Sequence, residues 1–420
     1  MGPDAQSHNV NGKGCNVDDD GQLGRRLREI RSWRRLSIRV VAELSGISWG
    51  YLAQIERGEK PITNRRVLES LASSLRVSPA ELTGKPWAPV DPVSSDAHAA
   101  VHAIEAALES FELGDDPGVP TRAWPEIESD VSTLVDLMHV HADYAAQGEL
   151  APRLMAELHA VYVREPNLRR RALAGLIHCY SSACWVSKRL WGRGLPLLAA
   201  RIAQQCAAEL DEPQWLGYTT WLRGDAAGGV SRSQQYARAM KMADELRSVL
   251  DDPEVAQAYG MLHLSAALAS AAQRDRDSAR THLDEAGSIA DRMASEVGTF
   301  GRLWFGRTNV GIWRVSIAAE LGEGPRVAEI AQNVHPELIP SVSWQAEFYA
   351  DLGRSLISEP KTRDAGLRTI LRAESLAPQR IRNDLFVREA VAGELRNARR
   401  DAGGRELRGL AWRMGVAPIG

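Results

Sequence analysis

Between Leu36 and Gly58 two short amphipathic segments stand almost end to end, a pattern that only short, tightly packed helices accommodate. Ser37 precedes Ile38-Arg39-Val40-Val41-Ala42-Glu43-Leu44, which stops at Gly46. Ser48 then precedes Trp49-Gly50-Tyr51-Leu52-Ala53-Gln54-Ile55-Glu56-Arg57, which stops at Gly58. A serine in front of a helix accepts a hydrogen bond from the unpaired amides of its first turn, and a glycine behind it takes the left-handed conformation that ends it. The flanks carry the same punctuation. Leu23, Leu27 and Ile30 share one helical face, and Thr63 is placed to cap a helix with Val67, Leu68, Leu71, Ala72 and Leu75 inward. Ser78-Pro79-Ala80-Glu81 forms a capping box with proline at the first helical position. Five helices are therefore expected within residues 21–84.

This stretch is also basic. Residues 21–85 carry 13 Lys or Arg against 6 Asp or Glu, a charge of +7 in a chain whose net charge is -3, so the rest carries -10. A small basic module on an acidic body suits a polyanionic partner for the module alone. Residues 1–20 hold almost no large apolar side chains and are expected to form a disordered tail. Gly84 to Asp96 includes three prolines, so residues 85–96 read as an extended linker. Met1-Gly2-Pro3-Asp4-Ala5 lacks the basic start and apolar core of a secretory signal. The chain has no bilayer-length apolar run, and its four scattered cysteines do not form a disulfide framework, so a cytoplasmic protein without membrane contact is expected.

The run Leu36 to Gly58 resembles the Cro/CI-type (Xre) helix-turn-helix family, with flanking helices extending the likeness over about 23–83. Ala42 permits close crossing of the second and third helices, Gly46 makes the turn, and Ile47, Leu52 and Ile55 fill the space beneath. The resemblance implies that the third helix enters the major groove of double-stranded DNA, with Trp49, Gly50, Tyr51 and Gln54 as base-reading candidates. Gln54 can donate and accept at once, the pattern an adenine edge presents. Ser37, Arg39, Ser48, Arg57, Lys60, Asn64 and Arg65, at or beside helix starts, are candidates for phosphate contacts. Arg31 and Glu56 fall where the family often carries an ion pair joining helix one to the end of helix three. Two positions depart from the pattern. Ile38 and Trp49 stand where the family often has glutamine and a polar residue, so a phosphate contact at 38 is lost or passes to Arg39.

Residues 97–420 have helical period nearly throughout, with Ala- and Leu-rich stretches near 97–113, 126–146, 167–190, 195–210, 231–249, 254–273, 277–294, 303–321 and 341–357. The expected class is all-α. Two segments resemble the tetratricopeptide pattern: Ala267 with Ala279, Leu283 and Ala286, and Tyr349, Leu352 and Gly353 with Ile370, Ala373 and Pro378. These imply a helical-repeat solenoid of degenerate register. Trp185, Trp191, Trp215, Trp221, Trp304, Trp313 and Trp344 are either core wedges or the lining of a concave surface.

No phosphate-binding glycine loop, zinc-protease motif or serine nucleophile elbow occurs, so no catalytic residue, metal site or cofactor is expected and the chain does not read as an enzyme. Cys179 and Cys184 beside His178 come nearest to a ligand cluster, but their five-residue spacing on a helix separates the thiols. Helical-repeat bodies behind Cro/CI-type modules resemble bacterial peptide-sensing regulators. The end of the chain, around Leu376-Ala377-Pro378 and Val387-Arg388-Glu389, is similar to high-GC actinobacterial regulators. The resemblance implies a sequence-specific transcriptional regulator, a homodimer whose helical domain takes a peptide, small-molecule or protein effector. The competing reading is an interaction scaffold whose small module does not bind DNA.

Overall fold

The computed structural model describes residues 22–62, 64–77, 79–83, 92–190, 192–227, 232–398 and 404–416. The expected tail at 1–20, most of the linker and Trp191 lie outside them. The described residues are helical with no strand, apart from one isolated antiparallel pairing of Val297 with Gly306.

The N-terminal module consists of α1 (Gln22–Trp33), α2 (Ile38–Leu44), α3 (Trp49–Glu56), α4 (Arg65–Leu75) and α5 (Pro79–Thr83). Leu27, Val41, Leu52, Ile55, Val67, Leu71 and Leu75 bury one face of each of the first four helices, and Leu82 closes the core from α5. Gly46, at φ +64°, makes the turn between α2 and α3 in a conformation that a side chain would strain. Gly24 has a different role. A Cβ there would stand 2.1 Å from the Ile55 carbonyl oxygen, so its missing side chain lets α1 lie directly on α3.

The body runs through α6 (Pro92–Ser110), α7 (Trp124–Asp136), a π turn at Leu137–His141, α8 (Tyr144–Arg164), α9 (Arg169–Arg189), α10 (Leu195–Leu210), α11 (Pro213–Ala226), α12 (Arg232–Leu246), α13 (Pro253–Ala272) and α14 (Arg276–Arg292). It continues with α15 (Arg307–Glu320), α16 (Pro325–Ala331), α17 (Val342–Ile357), α18 (Arg363–Leu376), α19 (Pro378–Arg382), α20 (Leu385–Ala398) and α21 (Arg405–Arg413). Successive helices pack on one another, most extensively α8 on α9, α9 on α10, α13 on α14 and α17 on α18. The last two are the pairs singled out by their small residues. Ala267, Ala279 and Ala286 are buried between α13 and α14, and a Cβ on Gly353 would stand 2.7 Å from Ile370 Cγ1 across α17 and α18. Apolar side chains from α6 to α15 form one core, and those from α15 to α21 form a second.

The structure corrects three expectations. The linker stops earlier than 96, because α6 begins at Pro92 and so residues 92–96 are helical; proline at a first helical position needs no amide partner. The helix expected at 126–146 is broken. The π turn and left-handed Ala142 end α7, and Asp143 starts α8 by accepting from the Ala146 amide at 3.1 Å. α8 beyond residue 146 and α11 were not anticipated: α8 holds Pro152 inside it, and in α11 Tyr218, Thr219, Thr220, Trp221 and Leu222 are all buried, so a helix surrounded by protein shows no apolar stripe.

The two parts are not separate bodies. Leu385 of α20 belongs to the module's core and Phe386 packs beside it. Arg232 bonds Glu69 at 2.8 Å, and the backbone amides of Arg65 and Arg66 donate to the Glu320 carboxylate at 3.3 and 3.0 Å. α4 is thus clamped onto the body at its N-terminus and along one side.

Candidate nucleic-acid interface and the cavity behind it

The exposed side of the module is built by its caps. The Val40 amide donates to Ser37 Oγ at 3.2 Å, and the Tyr51 amide to Ser48 Oγ at 3.2 Å. Both serines therefore set the direction in which α2 and α3 start. α3 is further fixed by Arg31, which donates to Glu56 at 2.6 and 2.9 Å and to the Leu36 carbonyl at 3.0 Å. A two-toothed guanidinium–carboxylate pair holds one relative orientation of its helices.

On that frame Trp49 is 60% exposed, so its ring is presented outward rather than folded onto the module, while Ile38 packs against the module's core. Gly50 has open space where a Cβ would stand. Arg39, Ser37 and Ser48 are exposed with Trp49, and Gln54 is half-buried one turn further along α3. Residues 37 and 39 thus stand at the N-terminal end of α2, and residues 48, 49 and 50 at that of α3, on two helices that pack together.

The remaining candidates are placed differently. Tyr51 donates its hydroxyl to the Pro61 carbonyl at 3.3 Å and lines a crevice with Lys60 on one side and Ile357, Phe386 and Gly393 of the body on the other. Arg57 is exposed but tied to Glu59 at 2.6 and 2.8 Å. Asn64 is the cap of α4, accepting from the Val67 amide at 2.9 Å, the role expected of Thr63, which lies outside the described residues. Arg65 turns away from the outer face altogether. Its guanidinium lies 3.7 Å from Glu347 and 5.8 Å from the Phe386 ring, so in this arrangement it serves the junction with the body rather than a phosphate. Glu320, Glu347 and Phe386 carry no local signal of this role: they lie more than 250 residues beyond Arg65, and only the docking brings them to it.

Behind α4 and α5 lies a cavity of about 320 Å³ between module and body. Trp185, Trp221, Trp313 and Trp344 line it, whereas Trp215 packs on Tyr218 and Phe300, and Trp304 lies over buried His139. The tryptophans thus divide between core and concave wall. Cys179 and Cys184 are fully buried in α9, where desolvation pushes both thiols far above their usual range.

A capped pair of short helices crossing at a glycine turn, with the second held at its end by an ion pair, is the geometry that lays a recognition helix in a DNA groove. Residues 22–83 match the family model of a helix-turn-helix domain. The helix-turn-helix module spans α1 to α5, and the body behind it lies outside that match. No curated protein and no solved structure matches the chain. No helix among the described residues is long and apolar enough to cross a membrane.

Proposed function

We propose that this chain is a sequence-specific transcriptional regulator of the Cro/CI (Xre) type, acting as a cytoplasmic homodimer whose helical body binds an effector. The observation that carries the DNA-binding reading is the outward face at the starts of α2 and α3, where exposed Trp49 and Arg39 stand beside capped helix ends in a module of charge +7. One recognition helix reads only a few base pairs, so pairing about a two-fold axis supplies the rest of a specific site. The cavity supports the effector reading because the module itself forms one of its walls, so a ligand there bears on how the module is held. The α13–α14 and α17–α18 hairpins support a tetratricopeptide-like body.

The test is selection of duplexes from a random pool by the full chain, followed by a salt titration on the recovered sequence. Affinity should fall steeply with salt as phosphate contacts are lost. Gln54→Ala should relax one position in each half-site at a cost of about 1–3 kcal/mol, whereas Arg39→Ala should weaken all sequences alike. Sedimentation should give a dimer on the recovered duplex. A chain that retains no preferred sequence at any salt concentration is instead an interaction scaffold.

A further inference from the structure

The cavity behind α4 holds more positive charge than its walls neutralise. Among its described lining residues six are basic and four acidic, an excess of two. The excess is concentrated around one carboxylate. Glu347 is contacted by Arg380, by Arg189 at 3.2 Å and by Arg65 at 3.7 Å, three guanidiniums on one carboxylate, with Asp384 and Asp225 as the further negative charges near Arg380. Next to them Lys188 is already matched by Asp225 at 2.5 Å, and Arg232 by Glu69.

Arg65 and Arg189 are partly exposed, whereas Arg380 is withdrawn from water. Arg380 is 10% exposed, and burial, together with the neighbouring Arg189, pushes its guanidinium down to about 9. Cations withdrawn from water call for a counter-charge, and arginine forks suit the planar or tetrahedral oxygens of carboxylates and phosphates. The rest of the wall is of another kind. Trp185, Trp221, Trp313 and Trp344 give it flat apolar surface. Two polar atoms of the lining residues, Trp313 Nε1 and His139 Nε2, have no hydrogen-bond partner among the described residues, although both side chains are more than nine-tenths buried. Buried polar groups are ordinarily paired.

We infer that the cavity binds a small aromatic anion, with its flat body among the tryptophans and its carboxylate or phosphate on Arg65, Arg189 and Arg380. This rests on the effector reading above and gives that effector a chemical class. A volume of about 320 Å³ is at the small end of sites that enclose a whole ligand, which excludes a folded partner. Arg65 belongs to α4 and Arg189 and Arg380 to the body, so the anion ties the module to the body. It therefore favours the docked arrangement over any in which α4 leaves, and DNA that requires α4 to leave must weaken the anion by the same factor that the anion weakens DNA.

The probe is 1-anilinonaphthalene-8-sulfonate, an aromatic anion of suitable size, set against N-phenyl-1-naphthylamine, the same body without the charge. Both are titrated into the full chain by fluorescence, with stoichiometry from calorimetry. The expected result is one site that prefers the sulfonate at least tenfold. Arg189→Gln should reduce that preference about tenfold, and Glu347→Gln, which removes the competing carboxylate, should increase it. Opposite shifts from two substitutions in one cluster cannot arise from loss of folding. Phenyl phosphate and phenylacetate then compete for the site, and whichever displaces the sulfonate at lower concentration distinguishes phosphate from carboxylate. Equal binding of the two dyes, shifts of the same sign in the two variants, or no displacement by either competitor would overturn the anion site. The titration uses no DNA. A chain that behaves as expected here but retains no duplex refutes the regulatory reading alone.

Discussion

Gly50 lies in the first turn of α3 with nothing among the described residues within 4 Å of where its Cβ would stand, so no contact among them calls for glycine. Glycine inside a helix costs roughly 1 kcal/mol against alanine. Gly50→Ala should therefore stabilise the module by about 0.5–1 kcal/mol. On the proposed reading it should also weaken DNA binding, because the added methyl occupies space the backbone leaves for a base edge. Thermal unfolding and fluorescence anisotropy on the recovered duplex measure the two effects, and affinity that rises together with stability would remove Gly50 from the interface. Gly24 is the opposite case. Its would-be Cβ collides with backbone at the Ile55 carbonyl, so Gly24→Ala must push α1 off α3, at a cost of about 1–3 kcal/mol. Denaturant unfolding should show the loss as a lower midpoint. Neither distinction is visible in the sequence, where both are simply glycines in helices.

α4 shows what docking does to an element. Its inward face, Val67, Leu68, Leu71, Ala72 and Leu75, is legible from spacing and is buried as that spacing requires. Its N-terminus is not legible. Asn64 satisfies one amide, and Glu320 from the end of α15 accepts from two more, so a carboxylate occupies a helix start of the kind that binds phosphate oxygens. A negative charge at a helix start contributes roughly 0.3–1 kcal/mol, rising to about 2 kcal/mol when partly buried. Glu320→Gln keeps the shape and removes the charge. If docking of α4 competes with DNA, this variant should bind the recovered duplex about twofold to fivefold more tightly, with faster hydrogen exchange at the Arg65 and Arg66 amides. Faster exchange with unchanged or weaker DNA binding would show that docking and DNA do not compete.

Across the whole molecule, the interior holds imidazoles that resist protonation. Burial, with His178 and Arg302 adding repulsion, pushes His139 down to about 3. His178, also through burial and then Arg302, is held at about 4. His159 is likewise at about 4 through burial, while its Nε2 lies 2.8 Å from the Tyr180 hydroxyl. The unfolded chain takes up protons near pH 6.5, whereas these folded-state groups do so only near 3 to 4. Their contribution is therefore complete above pH 6.5 and is lost as pH falls toward 4, at up to about 1.4 kcal/mol per pH unit for each histidine. The melting temperature of the full chain should drop through that window, and His178→Phe should make the drop shallower. An unchanged slope would mean that other groups govern acid unfolding.

What was readable in the chain was local. Serine caps, glycine stops, the Arg31–Glu56 spacing and the inward faces of α1 to α4 are decided within a few turns of helix, because backbone amides and amphipathic faces interact at short range. The all-α class of the body follows from its helical period for the same reason. Whole helices did not follow where a helix is buried on most sides, as α11 is, or carries an internal proline, as α8 does at Pro152. Tertiary structure alone decided that Leu385 completes the module's core, that Glu320 covers the start of α4, that Arg65 turns inward, and that four of the tryptophans face one cavity with three arginines around Glu347. Each of these joins residues far apart in the chain. Such contacts depend on how whole helices stack, and no periodicity within a single helix encodes that stacking.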